Sequence, residues 1–467
     1  MIVMKFGGTS VGDVAAIKRL TDIVRERLNR QPIVVVSAMG KTTRRLLTAA
    51  AHAAEGNVEA STHLLGELKQ YHREIGRQVI KNFDSSKTNE DLNTRFAEIE
   101  QTLSKIDQAG TLTPILHDEI AAYGELLSTI IIAAALEDCT VPTAWFDVRK
   151  IIITNDNHTR ATPVFELTNQ NFESQVLPVI ESGRVPVIQG YIGSTRQGVT
   201  TTLGFEGSDY TAAITAAALN AEEVQIWKDV DGLMTADPNL VGSALTVRCI
   251  SFTEAAELTH LGAKVLHPKA VQPAATRNIP IHIYNAKRRS PIGTVISRDG
   301  RRCNNVVKSI AFKQGIALLR IVPRTMADLP MVQCSLEALA ARGGTIYLLS
   351  GFAAGLRLAI EDASDLTALT EELADIADVE ISRKLAIVTV VGEGLLSTPV
   401  ISAIAFDTLR RSELAFAAFG APGNSLSLVV DEREVADLVS RLHERFFHNY
   451  DAEVFAPVEP MDRFSLQ

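Results

Sequence analysis

Over roughly its first 290 residues the chain repeats one pattern, a short apolar run followed by a stretch with helical periodicity. The runs are Ile2–Lys5, Ile33–Ser37, Thr143–Phe146, Val185–Gln189, Val224–Trp227 and Ile281–Tyr284. Several are continuous rather than alternating, which is how strands buried on both faces read. Such strands alternating with helices predict an α/β domain, a sheet covered by helices on both sides. The segment at about 55–104 departs from the pattern. It is polar, carries little strand signal, and predicts a helical insertion at the edge of a cleft.

A basic, turn-rich stretch follows, with Lys287-Arg288-Arg289-Ser290-Pro291 and Arg298-Asp299-Gly300-Arg301-Arg302. Beyond it the elements shorten. Strands at Ile316–Val322, Thr345–Leu349 and Gly355–Glu361 alternate with helices at Asp328–Ala341 and Leu366–Ala377. The style then repeats through Leu385–Val391, Thr398–Arg410, Leu414–Phe419, Ser425–Asp431 and Glu432–Phe446. This predicts two successive βαββαβ units. The expected domains are 1–295, 305–382 and 383–467, consistent with a length of 467 residues.

A net charge of −9 argues against nucleic acid as the main partner. Cys139, Cys249, Cys303 and Cys334 lie far apart with no CxxC, so neither a disulfide framework nor a zinc site is suggested, and free thiols in a reducing cytoplasm fit best. The longest apolar run, Leu126 to Leu136, is too short to span a bilayer, and the N-terminus lacks the shape of a signal peptide. The histidines are scattered, which gives no metal site.

The chemistry-bearing runs sit at strand ends. The first strand passes directly into Lys5-Phe6-Gly7-Gly8-Thr9-Ser10, and the helical stretch from Val14 follows. Glycines let backbone approach a phosphate, a helix start offers free N–H groups, and the lysine adds a full charge. The spacing is not that of a Walker A loop. The bland alternative is an ordinary strand-to-helix turn. A second run, Thr200-Thr201-Thr202-Leu203-Gly204-Phe205-Glu206-Gly207-Ser208-Asp209, opens an alanine-rich helix, and Ser208 or Asp209 could equally be a cap. A third, Trp227-Lys228-Asp229-Val230-Asp231-Gly232, follows a buried-type strand and reads alternatively as a loop of Asx turns. A fourth, Gly262-Ala263-Lys264-Val265-Leu266-His267-Pro268, reads alternatively as a helix C-cap.

Taken in order, KFGGTS, YGELLS (Tyr123 to Ser128), WFDVRK (Trp145 to Lys150), TTTLG followed by GSDYTAA, the DVDG and TADP run, and GAKVLHP resemble the aspartokinase family. The resemblance covers nearly all of the first 290 or so residues, and the paired tail resembles tandem ACT domains. It implies an amino acid kinase fold, a three-layer αβα sandwich followed by two ferredoxin-like ACT domains. It implies ATP-dependent phosphorylation of the L-aspartate side-chain carboxylate, the first step toward lysine, threonine and methionine, with ATP and Mg²⁺ as cofactors. Carried over by residue, Lys5 meets the phosphoryl group in transit; Gly7, Gly8 and Thr9 support the phosphates; Asp209 orients the catalytic lysines. Thr42 and Glu125 contact the substrate, Glu125 receiving its ammonium. Lys228, Asp229, Lys264 and Val265 line the nucleotide pocket. An amino-acid effector at the ACT domains and a homodimer or higher homo-oligomer are expected as well.

Two stretches depart from the family pattern. Where the family usually has Arg-Gly-Gly-Ser-Asp, its arginine binding the substrate carboxylate, this chain has Phe205-Glu206-Gly207-Ser208-Asp209. Arg149, Arg160, Lys41 or Arg44 are the cations available to compensate. The first ACT repeat has Ser350-Gly351-Phe352-Ala353 where the family carries a Thr-Ser-Glu-like effector loop. These departures keep two other readings open: a nucleotide-binding regulatory paralogue with weakened or lost aspartate turnover, and a kinase for a less anionic amino acid.

Overall fold

The computed structural model describes residues 1–204, 206–261, 266, 268–288, 293–300, 306–324, 329–341, 344–352, 355–362 and 366–458. Phe205, Lys264 and Val265 therefore lie outside the described residues. The chain forms two compact units, Met1–Gly232 with Lys269–Arg298, and Leu233–Pro268 with Asp299–Pro460.

In the first unit, strands lie side by side in the order Thr294–Ser297, Ile281–Asn285, Glu223–Lys228, Ile2–Phe6, Pro32–Val36, Val185–Gln189, Thr143–Trp145. All are parallel except Thr294–Ser297, which runs antiparallel to Ile281–Asn285. Every residue of Ile2–Phe6, Pro32–Val36 and Val185–Gln189 is buried. Burial of both faces explains the unbroken apolar runs and gives the three-layer αβα arrangement. The chain leaves Ile2–Phe6 toward one side of the sheet and later returns on the other, at Glu223–Lys228. A crevice at the carboxyl ends of the strands is the usual ligand position for such a reversal.

The expected insertion forms the long helices Val58–Val79 and Lys87–Ala109, capped by Asn57 and Ser86. Helix Pro114–Asp138 starts on the Thr113 cap with proline in its first turn, as helices favour. By length and composition this helix is apolar enough to cross a bilayer, longer than its central apolar run suggested, but most of that stretch is buried within the fold. It reads as a core helix.

In the second unit one sheet has the strand order Ile346–Phe352, Gly355–Glu361, Ser309–Pro323, Ala377–Val391, Ser425–Asp431, Phe416–Phe419. The 382/383 boundary expected between the repeats falls inside the strand Ala377–Val391. The two βαββαβ repeats are nested. Ile316–Pro323 begins the first repeat, and Ala377–Leu385 closes it by pairing beside that strand. The second repeat begins at Leu385–Val391, but its fourth strand is Ser309–Lys313, ahead of the first repeat in sequence. The last strand, Phe455–Pro457, pairs instead with Leu245–Val247. Leu319, Ile321, Leu358, Ile360, Leu369 and Leu373 form the core of the first repeat between its sheet and helices.

Candidate active site

Lys5 is the penultimate residue of Ile2–Phe6, in register with Val35 on one side and Ile226 on the other. Lys228 ends the adjacent strand. Asp209 lies in the first turn of helix Gly207–Leu219, whose small residues let it pack closely on the first strand. These three meet. Lys5 Nζ is 2.5 Å from Asp209 Oδ1, and Lys228 Nζ is 2.9 Å from Asp209 Oδ2. The Asp209 side chain is completely buried and Lys5 nearly so. Burial alone would push the Asp209 carboxyl up, but Lys5 and Lys228 outweigh it and hold it below the usual carboxylate range. Lys228 is held above the ordinary lysine range because Asp209, then Glu206, outweigh its own desolvation.

Glu206 is a fourth member that the motif alone does not show. Its carboxylate lies 3.8 Å from Lys228 Nζ. Coulomb attraction falls as 1/r, so Asp209 is the stronger partner and Glu206 the weaker. Burial raises the Glu206 carboxyl, Lys228 opposes this, and Asp209 adds to it. Glu206 also adopts a left-handed φ of 52°, a region that favours glycine and is uncommon for other residues.

The glycine turn works by close approach rather than by unusual dihedrals. Neither Gly7 nor Gly8 has positive φ. Gly7 N–H donates to the Trp227 carbonyl and Gly40 N–H to the Gly8 carbonyl, tying three strand ends together. A Cβ on Gly8 would lie 2.9 Å from the Ala38 carbonyl oxygen and 3.1 Å from that of Gly40. Gly8–Val11 is a 3-10 turn, and the α-helix starts only at Val14, where Asp13 already caps Ala16 N–H at 2.7 Å. The expected anion site at an α-helix start is thereby corrected: the free N–H groups at this turn are the first ones of Gly8–Val11. Thr9 is exposed there. Gly8→Ala is expected to displace this junction, lowering the melting temperature and raising the ATP KM about tenfold, as overpacking against fixed backbone predicts. Thermal melts with ATP titration check it; an unchanged nucleotide affinity would count against a phosphate role for the turn.

Glu125 sits in the middle of helix Pro114–Asp138, almost fully buried. One oxygen accepts from Ala38 N–H at 3.3 Å, while Oε2 is buried with no hydrogen-bond partner among the described residues. Burial pushes this carboxyl up to about 8, the Ala38 N–H opposing only in part. Tyr191, on a left-handed φ of 69°, is pushed to about 12 mainly by burial and also feels the Glu125 charge. Thr42 is buried, and its hydroxyl donates to the Met39 carbonyl at 2.7 Å, which leaves it able only to accept from a ligand. Asp229 is exposed just beyond Lys228. Next to it, Asp231 accepts from Asn285 Nδ2 at 2.9 Å and from both Arg288 Nε and Nη2, the latter at 2.8 Å. That clamp was invisible in a segment that read as basic linker.

A second buried carboxylate fixes the neighbouring loop. Asp118 accepts from Thr202 Oγ1 at 2.6 Å, from Thr159 N–H at 2.9 Å and is 2.9 Å from His158 Nδ1. Arg149, one of the cations available to compensate for Phe205, is committed elsewhere: it makes a bidentate pair with Asp147 at 2.9 and 2.6 Å and donates to Thr200 at 3.1 Å.

Buried lysines converging on one carboxylate at the end of a parallel sheet, beside a glycine turn and an orphaned glutamate, suit the handling of a phosphoryl group and a cationic ligand. A model of the amino acid kinase family matches residues 1–285. Lysine-sensitive aspartokinase 3 of Escherichia coli is 32% identical over 466 residues, covering 96% of this chain and 99% of that protein. The chain belongs to the aspartokinase family. Aspartokinase 1 of Arabidopsis thaliana, a chloroplastic protein, is 30% identical over 96% of this chain and 80% of its own length. Among solved structures, E. coli aspartokinase III in complex with aspartate and ADP, described as the R-state, superposes with a TM-score of 0.85 at 30% identity, covering 96% of this chain and all of that one. The same enzyme with lysine and aspartate, described as the T-state, gives 0.77 at 31% identity. Within this aspartokinase-family chain, the described motif residues Lys5, Gly7, Gly8, Asp209 and Lys228 come together, with Glu125 and Thr42 on the adjoining elements.

Proposed function

We propose that the protein is an aspartate kinase, transferring the γ-phosphoryl group of ATP to the side-chain carboxylate of L-aspartate. The observation that carries this is the buried Lys5–Asp209–Lys228 cluster beside the unsatisfied oxygen of Glu125. A carboxylate acceptor is already ionised at neutral pH, so no general base is required. Phosphoryl transfer then rests on positioning and on neutralising charge spread over the phosphoryl oxygens. Lys5 and Lys228 supply that charge, and Asp209 holds both ammonium groups at fixed positions. The turn at Gly8 and Thr9 offers N–H donors to the phosphates. Glu125 receives the ammonium of the acceptor. Among the described residues no cluster of carboxylates, histidines or cysteines is arranged to hold a metal, and Asp209 is committed to lysines. In this reading Mg²⁺ accompanies ATP, held mostly by its phosphate oxygens and water, as part of the nucleotide substrate.

Aspartate-dependent release of ADP, together with calorimetric binding of both ligands, tests this reading. Binding of ATP without binding or turnover of aspartate would instead favour a regulatory nucleotide-binding paralogue, which the carboxylate of Glu206 beside Lys228 motivates. The same reading takes the protein as a cytoplasmic homo-oligomer, with an amino-acid effector at the nested ACT repeats. The stretch 350–352, which departs in sequence from the family's effector loop, lies on the hairpin strand Ile346–Phe352, paired with Gly355–Glu361.

Glu125 supplies a pH test. Its native value of about 8 exceeds the ordinary 4.5, so between those pH values the native protein holds a proton there that the unfolded chain has released. The stability this confers is fully present below the ordinary value and is lost as pH rises through about 8. The melting temperature of the wild type should fall relative to that of Glu125→Gln between pH 5 and pH 9. An ammonium bound at Glu125 favours the ionised form, so aspartate binding below about pH 8 releases a proton and tightens as pH rises. Parallel melting curves for the two proteins, or pH-independent aspartate affinity, would contradict this assignment.

A further inference from the structure

We infer that Arg160 is the cation that pairs with the α-carboxylate of the acceptor amino acid, which makes it a specificity-determining residue; this rests on the proposed aspartate kinase reading. Aspartate carries two carboxylates. The reacting one faces the phosphoryl group; the other must be matched by a positive group outside the lysine cluster, because Lys5 and Lys228 are both held by Asp209. The loop before helix Gly207–Leu219 provides no such group, since its residue 206 is a glutamate rather than a cation.

Of the nearby cations, Arg149 is consumed by Asp147 and Thr200. The Arg160 guanidinium has no ion pair or hydrogen bond among the described residues. Its backbone, by contrast, is fixed on every side. Arg160 N–H donates to the Asn157 carbonyl, Ala161 N–H donates to the Thr202 carbonyl at 2.9 Å, and the preceding Thr159 N–H is held by buried Asp118. A Cβ built on Gly204 would lie 3.8 Å from both Cα and Cγ of Arg160, so this arginine borders the loop that leads into Glu206 and Asp209. Thr159 is held at φ 68°, a left-handed conformation costly for a β-branched residue. Strain of this kind persists where surrounding contacts over-determine a turn, and here the hydrogen-bonded turn presents an exposed guanidinium with no partner among the described residues. The side chains of Lys41 and Arg44 also have no ion pair or hydrogen bond among the described residues, but Lys41 directly follows Gly40, which packs on Gly8 at the phosphate turn, and Arg44 lies in the first turn of the helix Thr42–Ala54 that starts there.

The test compares L-aspartate with 3-aminopropanoate, which is aspartate without its α-carboxylate, in wild type, Arg160→Ala, Arg160→Lys and Lys41→Ala. A lost charge-assisted carboxylate pair predicts an aspartate KM raised by about 30- to 100-fold in Arg160→Ala. The ATP KM and the melting temperature should stay near wild type, and 3-aminopropanoate kinetics should not change. Arg160→Lys should recover part of the loss, and Lys41→Ala should leave the aspartate-to-aminopropanoate preference intact. If Arg160→Ala keeps the wild-type preference, the inference is overturned while the kinase reading stands. If Arg160→Ala melts early, Arg160→Lys alone decides: a wild-type preference and KM in that variant, which keeps charge but not the bidentate fork, would overturn it. Wild type that neither binds nor phosphorylates aspartate would remove the kinase reading and this inference together.

Discussion

Lys5→Ala is expected to lower kcat by about 10³-fold or more, with a much smaller change in the KM for aspartate. Charge placed where phosphoryl oxygens accumulate negative charge acts mainly in the transition state, and removing one such group commonly costs this much. The effect should exceed simple loss of a surface cation because Lys5 is buried, where it is not screened by water. Arginine at the same position should not rescue the rate, since its planar fork cannot occupy the site of a compact ammonium 2.5 Å from Asp209 Oδ1. Steady-state kinetics on folded variants measure this. A Lys5→Ala enzyme retaining a tenth of the wild-type kcat would show that Lys228 alone carries the phosphoryl charge.

Asp209→Asn is expected to damage both rate and fold. The substitution conserves shape but leaves two ammonium groups facing each other in a buried setting without the carboxylate that bridges them, Glu206 being 3.8 Å from Lys228. Removing one partner of a buried ion pair typically costs about 3–5 kcal/mol, which for a domain of this size lowers the melting temperature on the order of 10 °C. The sign with pH follows from the depressed Asp209 carboxyl. The stabilisation is present above the ordinary carboxylate value and is lost as pH falls through the lower native one, so wild type and variant should converge in acid. A variant that melts with the wild type at neutral pH would mean that the lysines reposition into solvent. A near-wild-type kcat would remove Asp209 from its orienting role.

Much of the catalytic unit could be read from local pattern because its signals are local. Continuous apolar runs marked the strands buried on both faces, and Lys5, one residue before the two glycines, marked the first strand end. The meeting of Lys5, Asp209 and Lys228 joins residues far apart in sequence, and no spacing in the chain encodes it; only family order suggested it. Glu206 was readable as an odd residue in a glycine-rich run, but not its approach to Lys228, which depends on its left-handed backbone. The second unit shows the same limit more sharply. Ser309–Lys313 completes a repeat whose other strands begin at Leu385, and a strand paired across such a separation carries no sequence mark of its partner. The Asp231–Arg288 clamp is hidden in the sequence for the opposite reason. A basic, turn-rich segment resembles linker until its partner across the sheet is known.

A kinase of this kind ends phosphoryl transfer on a carboxylate, and its product is an acyl phosphate. The most direct measurement is incubation of the purified protein with ATP, Mg²⁺ and L-aspartate in the presence of hydroxylamine, which converts an acyl phosphate to a hydroxamate. Aspartyl hydroxamate should form in proportion to ADP, and Lys5→Ala should reduce both together. ADP formed without hydroxamate, or no turnover at millimolar aspartate, would contradict a carboxylate acceptor.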